Sequence, residues 1–237
     1  MKPKILFIGS IGAVAETSEL QRRAYNQALK ENNVNWEWSQ DIYKKLLKSN
    51  GGIDRLETLS AATNQHLSEE TIKNIHSRKT ELAARHIISE KISPRAGLVN
   101  LIKAAKDDGC KVAWVTTTGT ENTDAILQAS QGTLTNAHFD HIFHRDEAEN
   151  GKPSADIYHK ALNHFNAEAS ECIAIEDSKN SMLSAKSAGI FTVVTPGAYH
   201  GNESLEIADV TLESLSETDW ESLKSDFENV SSDSQLV

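Results

Sequence analysis

The feature that most constrains this chain is the placement of its short apolar runs. The first, Ile5 to Ile8, stops at Gly9-Ser10-Ile11-Gly12 and is followed by a long block of helical periodicity with no strand in it. Only after Ser93-Pro94-Arg95-Ala96-Gly97 do further runs appear, at Lys111 to Val115, His141 to Phe143, Cys172 to Ile175 and Phe191 to Val194, each separated from the next by a helical stretch. Short apolar strands alternating with helices build a parallel sheet covered on both faces. The pattern therefore predicts an α/β fold with a Rossmann-like parallel sheet and a four-helix module inserted after the first strand.

Within the insert, Leu20, Ala24, Ala28 and Leu29 share one helical face, and Ile42, Tyr43, Leu46 and Leu47 form a second stripe that stops at Asn50-Gly51-Gly52. A third helix is expected from Arg55 to Ala62, and a fourth, opened by Ser68-Glu69-Glu70, from Thr71 to Ile88. The expected division is a core of residues 1–14 and 92–222 and a helical cap of residues 15–91. The Ser-, Asp- and Glu-rich residues 223–237 are expected to form a loosely held tail.

In an open α/β sheet, ligands bind beyond the carboxyl ends of the strands. Each core strand here hands over to polar residues at that end: Thr116-Thr117-Thr118 after the second, Gly151-Lys152-Pro153 in the loop after the third, and Glu176-Asp177-Ser178 after the fourth. Taken singly, each also suits a bland role, as a helix cap, a solvated loop charge or a helix N-terminus. Together with Gly9 to Gly12 they form a set suited to phosphate and a divalent cation. Thr116, Thr117 and Lys152 would hold phosphate oxygens, and Asp177 with Glu176 would offer the hard oxygen ligands that Mg²⁺ prefers.

Composition narrows the partners. Net charge is −10, from 34 acidic against 24 basic side chains with the basic ones scattered, which disfavours a nucleic-acid surface. No apolar run approaches the length of a membrane span, and the first is too short for a signal peptide, so a cytoplasmic protein is expected. Cys110 and Cys172 each open an apolar run and read as buried, reduced thiols rather than a disulfide or zinc site. A nicotinamide-binding loop fails on spacing, because Gly-x-Gly-x-x-Gly is absent.

With these motifs in place, the chain resembles the haloacid dehalogenase-like hydrolases, in the subgroup with a helical cap after strand 1 that includes CbbY-like proteins, β-phosphoglucomutases and phosphoglycolate phosphatases. The likeness runs from Ile5 to about Leu215. It rests on Glu16 to Asn26 in the first cap helix, Gly51-Gly52-Ile53-Asp54-Arg55, Arg78-Lys79-Thr80, and Val194-Thr195-Pro196-Gly197. It rests further on Thr116, on Lys152 within Gly-Lys-Pro-Ser-Ala-Asp-Ile-Tyr, and on Glu176-Asp177-Ser178 as the second, third and fourth family motifs. The resemblance implies that Arg55, Lys79 and Gln21 face the substrate from the cap; Gln21 stands where relatives often have a His, and Ile53 where CbbY-like caps carry a Lys.

The first family motif, Asp-x-Asp-Gly, is where the chain departs. Keeping Gly12 as the motif glycine puts Gly9 at the position of the nucleophilic Asp and Ile11 at that of the acid/base Asp. Gly9 cannot attack phosphorus and Ile11 cannot transfer a proton. A one-residue shift offers Ser10 as a nucleophile, but spoils the glycine match and supplies no adjacent base. The resemblance thus implies a phosphate-recognising cleft with a weakened Mg²⁺ site. The protein is expected to bind a small phosphorylated metabolite or a protein partner without aspartyl-phosphate chemistry. The alternative is an active phosphatase or phosphomutase on a small sugar phosphate by a modified mechanism, which leaves open whether the chain is an enzyme.

Overall fold

A computed structural model describes residues 2–48, 51–63, 65–200 and 204–233. Strand β1 (Ile5–Ile8) lies inside a six-stranded sheet with β2 (Lys111–Val115), β3 (His141–Phe143), β4 (Cys172–Glu176), β5 (Phe191–Val194) and β6 (Val210–Thr211), in the order β3-β2-β1-β4-β5-β6. Every pairing is parallel, with Ile5 opposite both Lys111 and Cys172, so all carboxyl ends open on one edge. β1 sits beside both β2 and β4, which brings Gly9 alongside the polar ends of its neighbours.

Alternation along the strands divides the core. Leu6, Ile8, Val112, Trp114, Ile173 and Ile175 pack on the face covered by α6 (Leu98–Asp107), α7 (Thr120–Ala129) and α10 (Trp220–Asp233). Phe7, Ala113, Val115 and Ala174 pack against α8 (Asp156–Phe165) and α9 (Lys179–Ser187) on the other. The period of two, buried on both sides, is what a parallel sheet between helical layers requires.

The insert is helical, as expected: α2 (Ser18–Glu31), α3 (Gln40–Leu46), α4 (Gly52–Ala62) and α5 (Glu69–Ser89), with its own core of Tyr25, Leu29, Trp38, Tyr43, Leu56, Ile75 and Leu82. Ser39 and Ser68 cap α3 and α5 by accepting from the Ile42 and Thr71 amides. A loop of the core, after β5, reaches up to the cap: Ala198 N donates to Glu16 at 2.7 Å, the Tyr199 hydroxyl donates to Glu19, and the Tyr199 ring packs edge-on against Tyr43 at 5.8 Å.

Two expectations change. The glycine loop after β1 is a short helix, α1 (Ile11–Val14), with Ala13 and Val14 buried. The tail is not loose where it is described: residues 220–233 form α10, with Trp220, Leu223 and Phe227 buried. Those three fall at helical spacing, so one apolar stripe seats the helix while Glu221, Ser222, Ser225 and Asp226 are exposed. Residues 234–237 lie outside the described residues.

Candidate functional site

At the core end, backbone register does the positioning. Gly9 N donates to Ile175 O at 2.7 Å, which places the Gly9 α-carbon directly beside the side chain of Glu176. A Cβ built on Gly9 would lie 2.0 Å from both Cδ and Oε2 of Glu176, so the carboxylate fills the space a side chain at position 9 would use. Glu176 is fully buried and accepts at Oε1 from Lys152 Nζ and Tyr158 OH, each at 2.5 Å, and at Oε2 from Ser10 N at 3.0 Å, with Ser10 Oγ 3.2 Å from the same oxygen. Burial, and next the Glu176 carboxylate, push the Tyr158 phenol well above its ordinary pKa, so it stays a donor.

Asp177 repeats the relationship one turn on. A Cβ on Gly12 would fall 1.7 Å from its Oδ2, while its Oδ1 accepts from the Ser181 hydroxyl at 3.1 Å and from the Ser10 hydroxyl. Ser10 Oγ therefore lies between two carboxylates. This corrects the expectation that Ser10 has no base beside it, which followed from reading neighbours along the chain rather than across the sheet.

Lys152 is buried, donates to Val115 O at 3.0 Å as well as to Glu176, and lies 4.9 Å from the centroid of Tyr158. Thr116 is buried at the end of β2 with its hydroxyl oxygen accepting from the Thr118 amide at 3.2 Å, and Thr117 is half-buried beside it. The strand ends thus bring Gly9, Ser10, Thr116, Lys152, Glu176 and Asp177 to one edge, as the topology predicts.

The cap end has the opposite character. Arg55 and Lys79 are only 8% and 9% exposed, and neither forms an ion pair among the described residues. Arg55 donates to Leu46 O at 2.9 Å and to Tyr25 OH at 3.4 Å, and its guanidinium lies 5.8 and 5.6 Å from the ring centroids of Tyr25 and Tyr43. Lys79 Nζ lies 4.9 Å from the centroid of the same Tyr25 ring. Burial, then the Arg55 charge, lowers Lys79 to about 7. His76, packed where a Cβ on Gly52 would meet its ring at 2.5 Å, is lowered to about 4 by burial and then by Lys79 and Arg55. The cap therefore holds the Arg55 guanidinium without an anion, beside a lysine and a histidine whose charged forms burial and that guanidinium disfavour.

Gln21 bridges the two parts. It is buried on α2, donates through Nε2 to Asn122 Oδ1 of α7 at 3.3 Å, and leaves its buried Oε1 without a hydrogen-bond partner among the described residues. Ile53, by contrast, lies at the surface of α4, 36% exposed. Sequence reasoning missed Tyr158, Tyr25, His76 and Tyr199. Tyr158 and Tyr25 carried a signal, one as the last residue of the motif around Lys152 and the other within the Glu16 to Asn26 stretch.

The family model for haloacid dehalogenase-like hydrolases matches residues 7–189. The chain belongs to that family. Among its relatives, protein CbbY of Cereibacter sphaeroides is 35% identical over 87% of this chain and 90% of its own, and protein CbbY of Rhodobacter capsulatus 32% identical over 91% and 95%. The crystal structure of a CbbY mutant from Rhodobacter sphaeroides in complex with xylulose-(1,5)bisphosphate superimposes with a TM-score of 0.85, at 33% identity, covering 91% of this chain and 96% of that one. A β-phosphoglucomutase from Clostridium difficile, with a TM-score of 0.79 but 18% identity over 97% and 99% of the two chains, shares the fold.

Haloacid dehalogenase-like phosphatases generally use Mg²⁺, and the donor set here does not fit that ion. Glu176 Oε1 is taken by Lys152 and Tyr158, positions 9 and 11 contribute no carboxylate, and no group of three or more His, Cys, Asp or Glu among the described residues is placed to hold a metal. Among the described residues no helix is long and apolar enough to cross a membrane.

Proposed function

We propose that this haloacid dehalogenase-like chain binds a small phosphorylated molecule between core and cap and does not hydrolyse it through an aspartyl phosphate. The observation that carries the reading is the Glu176 carboxylate standing in the space beside Gly9, hydrogen-bonded to Lys152 and Tyr158. A group held that way is neither free to attack phosphorus nor placed to protonate a leaving oxygen. Residues 1–14 and 92–222 form one wall of the cleft and residues 15–91 the other.

Arg55 and Lys79 are the ligand contacts of the cap, because an incoming phosphate would pair the buried guanidinium, which has no carboxylate, and favour the protonated form of Lys79. Gln21 adds an acceptor, and Thr116, Thr117 and Ser10 add hydroxyls from the core wall. The relatives' names support the ligand class: one CbbY structure is a complex with a sugar bisphosphate and another with phosphate. A thermal-shift screen of phosphorylated metabolites tests the reading, since a ligand selective for the native state raises the melting temperature by mass action. A shift that disappears in Arg55→Met supports it; no shift across the panel contradicts it.

The contact of Ser10 Oγ with Asp177 favours one competing reading, a serine-dependent phosphatase. There the Ser10 oxygen would bond to phosphorus as the ester oxygen leaves, the hydroxyl proton passing by way of Asp177 to the departing oxygen, and water would then cleave the phosphoserine to free phosphate and restore the Ser10 hydroxyl. It requires phosphate release that is lost in Ser10→Ala.

A further inference from the structure

His144 stands where the second and third polar strand ends meet, just after β3, and the residue before it, Phe143, accepts from the Thr116 amide at 3.1 Å. His144 and Glu147 cap the 3₁₀ turn Arg145–Glu147 reciprocally. The His144 side chain accepts from the Glu147 amide, which also reaches His144 O at 3.1 Å, and Glu147 Oε1 accepts from the His144 amide at 3.1 Å. On its other side, Nε2 of the ring lies 3.0 Å from the hydroxyl of Thr123 on α7, a buried group that spends its one hydrogen on Thr120 O at 2.9 Å. That hydroxyl can only accept, so Nε2 holds the ring proton and Nδ1 is the acceptor that serves the cap. Arg145 N donates to Thr118 O at 3.0 Å, and its guanidinium to Ala148 O and, at 3.2 Å, to Glu149 O. The turn thus ties α7 and the Thr116 to Thr118 loop to the segment that leads into Lys152.

We propose that neutral His144 is a positioning residue, a clasp between the two loops that present Thr116, Thr117 and Lys152 at the core wall, and that a proton on Nδ1 opens it. A protonated Nδ1 is a donor facing a donor, so the cap on the Glu147 amide is lost while the bond to Thr123 stays. The charged and titratable groups around the ring are Glu147 and Asp146 on its own turn, Asp124 on α7, and His141 on β3, which stacks on His164 of α8 with centroids 4.3 Å apart. Burial outweighs the carboxylates and lowers the ring from its ordinary 6.5. An open turn takes up the proton at the ordinary value and the closed turn less readily, so acid below that value favours opening. The consequence for a ligand rests on the reading that a phosphorylated molecule binds between core and cap; the clasp itself does not.

Two measurements on the full chain separate the clasp from its effect on the ligand. Amide hydrogen exchange of residues 144–152, read by mass spectrometry and corrected for the intrinsic rate, follows opening of the turn. His144→Asn keeps a capping acceptor without a titrating ring and leaves His76, His141 and His164 in place. From pH 7 to pH 5 the wild type is expected to lose protection about fivefold, the effect of one lost cap, while His144→Asn keeps the same protection at both. His144→Ala has the lowered protection already at pH 7; if it does not fold, the comparison of wild type with His144→Asn decides alone. An equal fall in those two proteins, or no fall in the wild type, overturns the clasp. Sulfate, a tetrahedral dianion whose charge is constant over this range, is then titrated by thermal shift. The shift of the wild type is expected to shrink at pH 5 relative to that of His144→Asn. Equal pH dependence in the two proteins overturns the link to the ligand. No shift in either contradicts the phosphate reading, and the exchange result still decides the clasp.

Discussion

The carboxylate of Glu176 and the α-carbon of Gly9 are in such close register that a methyl group on Gly9 would sit 2.0 Å from the carboxyl carbon. Glycine at position 9 and glutamate at position 176 are therefore a matched pair, and Gly9→Ala overpacks the site by about 1–3 kcal/mol. In a Glu176→Ala background the same change costs less, because the obstructing side chain is gone. Urea denaturation of the four proteins gives the coupling energy, expected between about 0.5 and 3 kcal/mol. Additive effects would show that the two positions do not share the space.

Lys152 is predicted to be the most sensitive charged position in the core. Lys152→Met strands the Glu176 carboxylate, which is fully buried, and breaking such a pair costs about 3–5 kcal/mol. Adding Glu176→Gln removes the orphaned charge and recovers a large part of the loss. Equilibrium denaturation of the single and double variants measures both numbers.

The cap cluster makes stability depend on pH in a direction opposite to that of most salt-bridged lysines. Burial, and then Arg55, lowers Lys79 from 10.5 to about 7. Between those values the unfolded chain carries a proton that the native chain lacks, so stability rises with pH across that window, by at most about 1.4 kcal/mol per pH unit. His76, lowered from 6.5 to about 4, adds a rise between those two values. Lys79→Met flattens the upper window and, by removing one of the charges that lower His76, narrows the lower one, as thermal or urea unfolding at a series of pH values will show. An anion bound beside Lys79 favours its charged form, so ligand binding near pH 8 takes up a proton, measurable by calorimetry in buffers of different ionisation enthalpy.

The sequence carried the alternation of strands and helices, the insertion after β1 and the convergence of Thr116, Lys152 and Asp177 on one edge, because these follow from periodicity and from the parallel topology alone. It did not carry α10, whose stripe of Trp220, Leu223 and Phe227 is diluted by Ser, Asp and Glu, nor the two-residue β6. The pairing of Glu176 with Lys152 was also out of reach. Which way a glutamate turns at a strand end depends on the empty space beside Gly9, and that space exists only once β1 and β4 are in register. Ser10 gained its carboxylate neighbours by the same route, from residues far along the chain. Arg55 and Lys79 were marked by family resemblance; their shared contact with Tyr25 became visible only in the packed cap.

Phosphate release from a panel of sugar phosphates and bisphosphates, in the presence of Mg²⁺, tests most directly whether the site has left aspartyl-phosphate chemistry behind. The arrangement of Gly9, Ile11 and the Lys152-bound Glu176 predicts no release above the buffer control from the purified wild-type protein. Mg²⁺-dependent release that Asp177→Ala abolishes would contradict it.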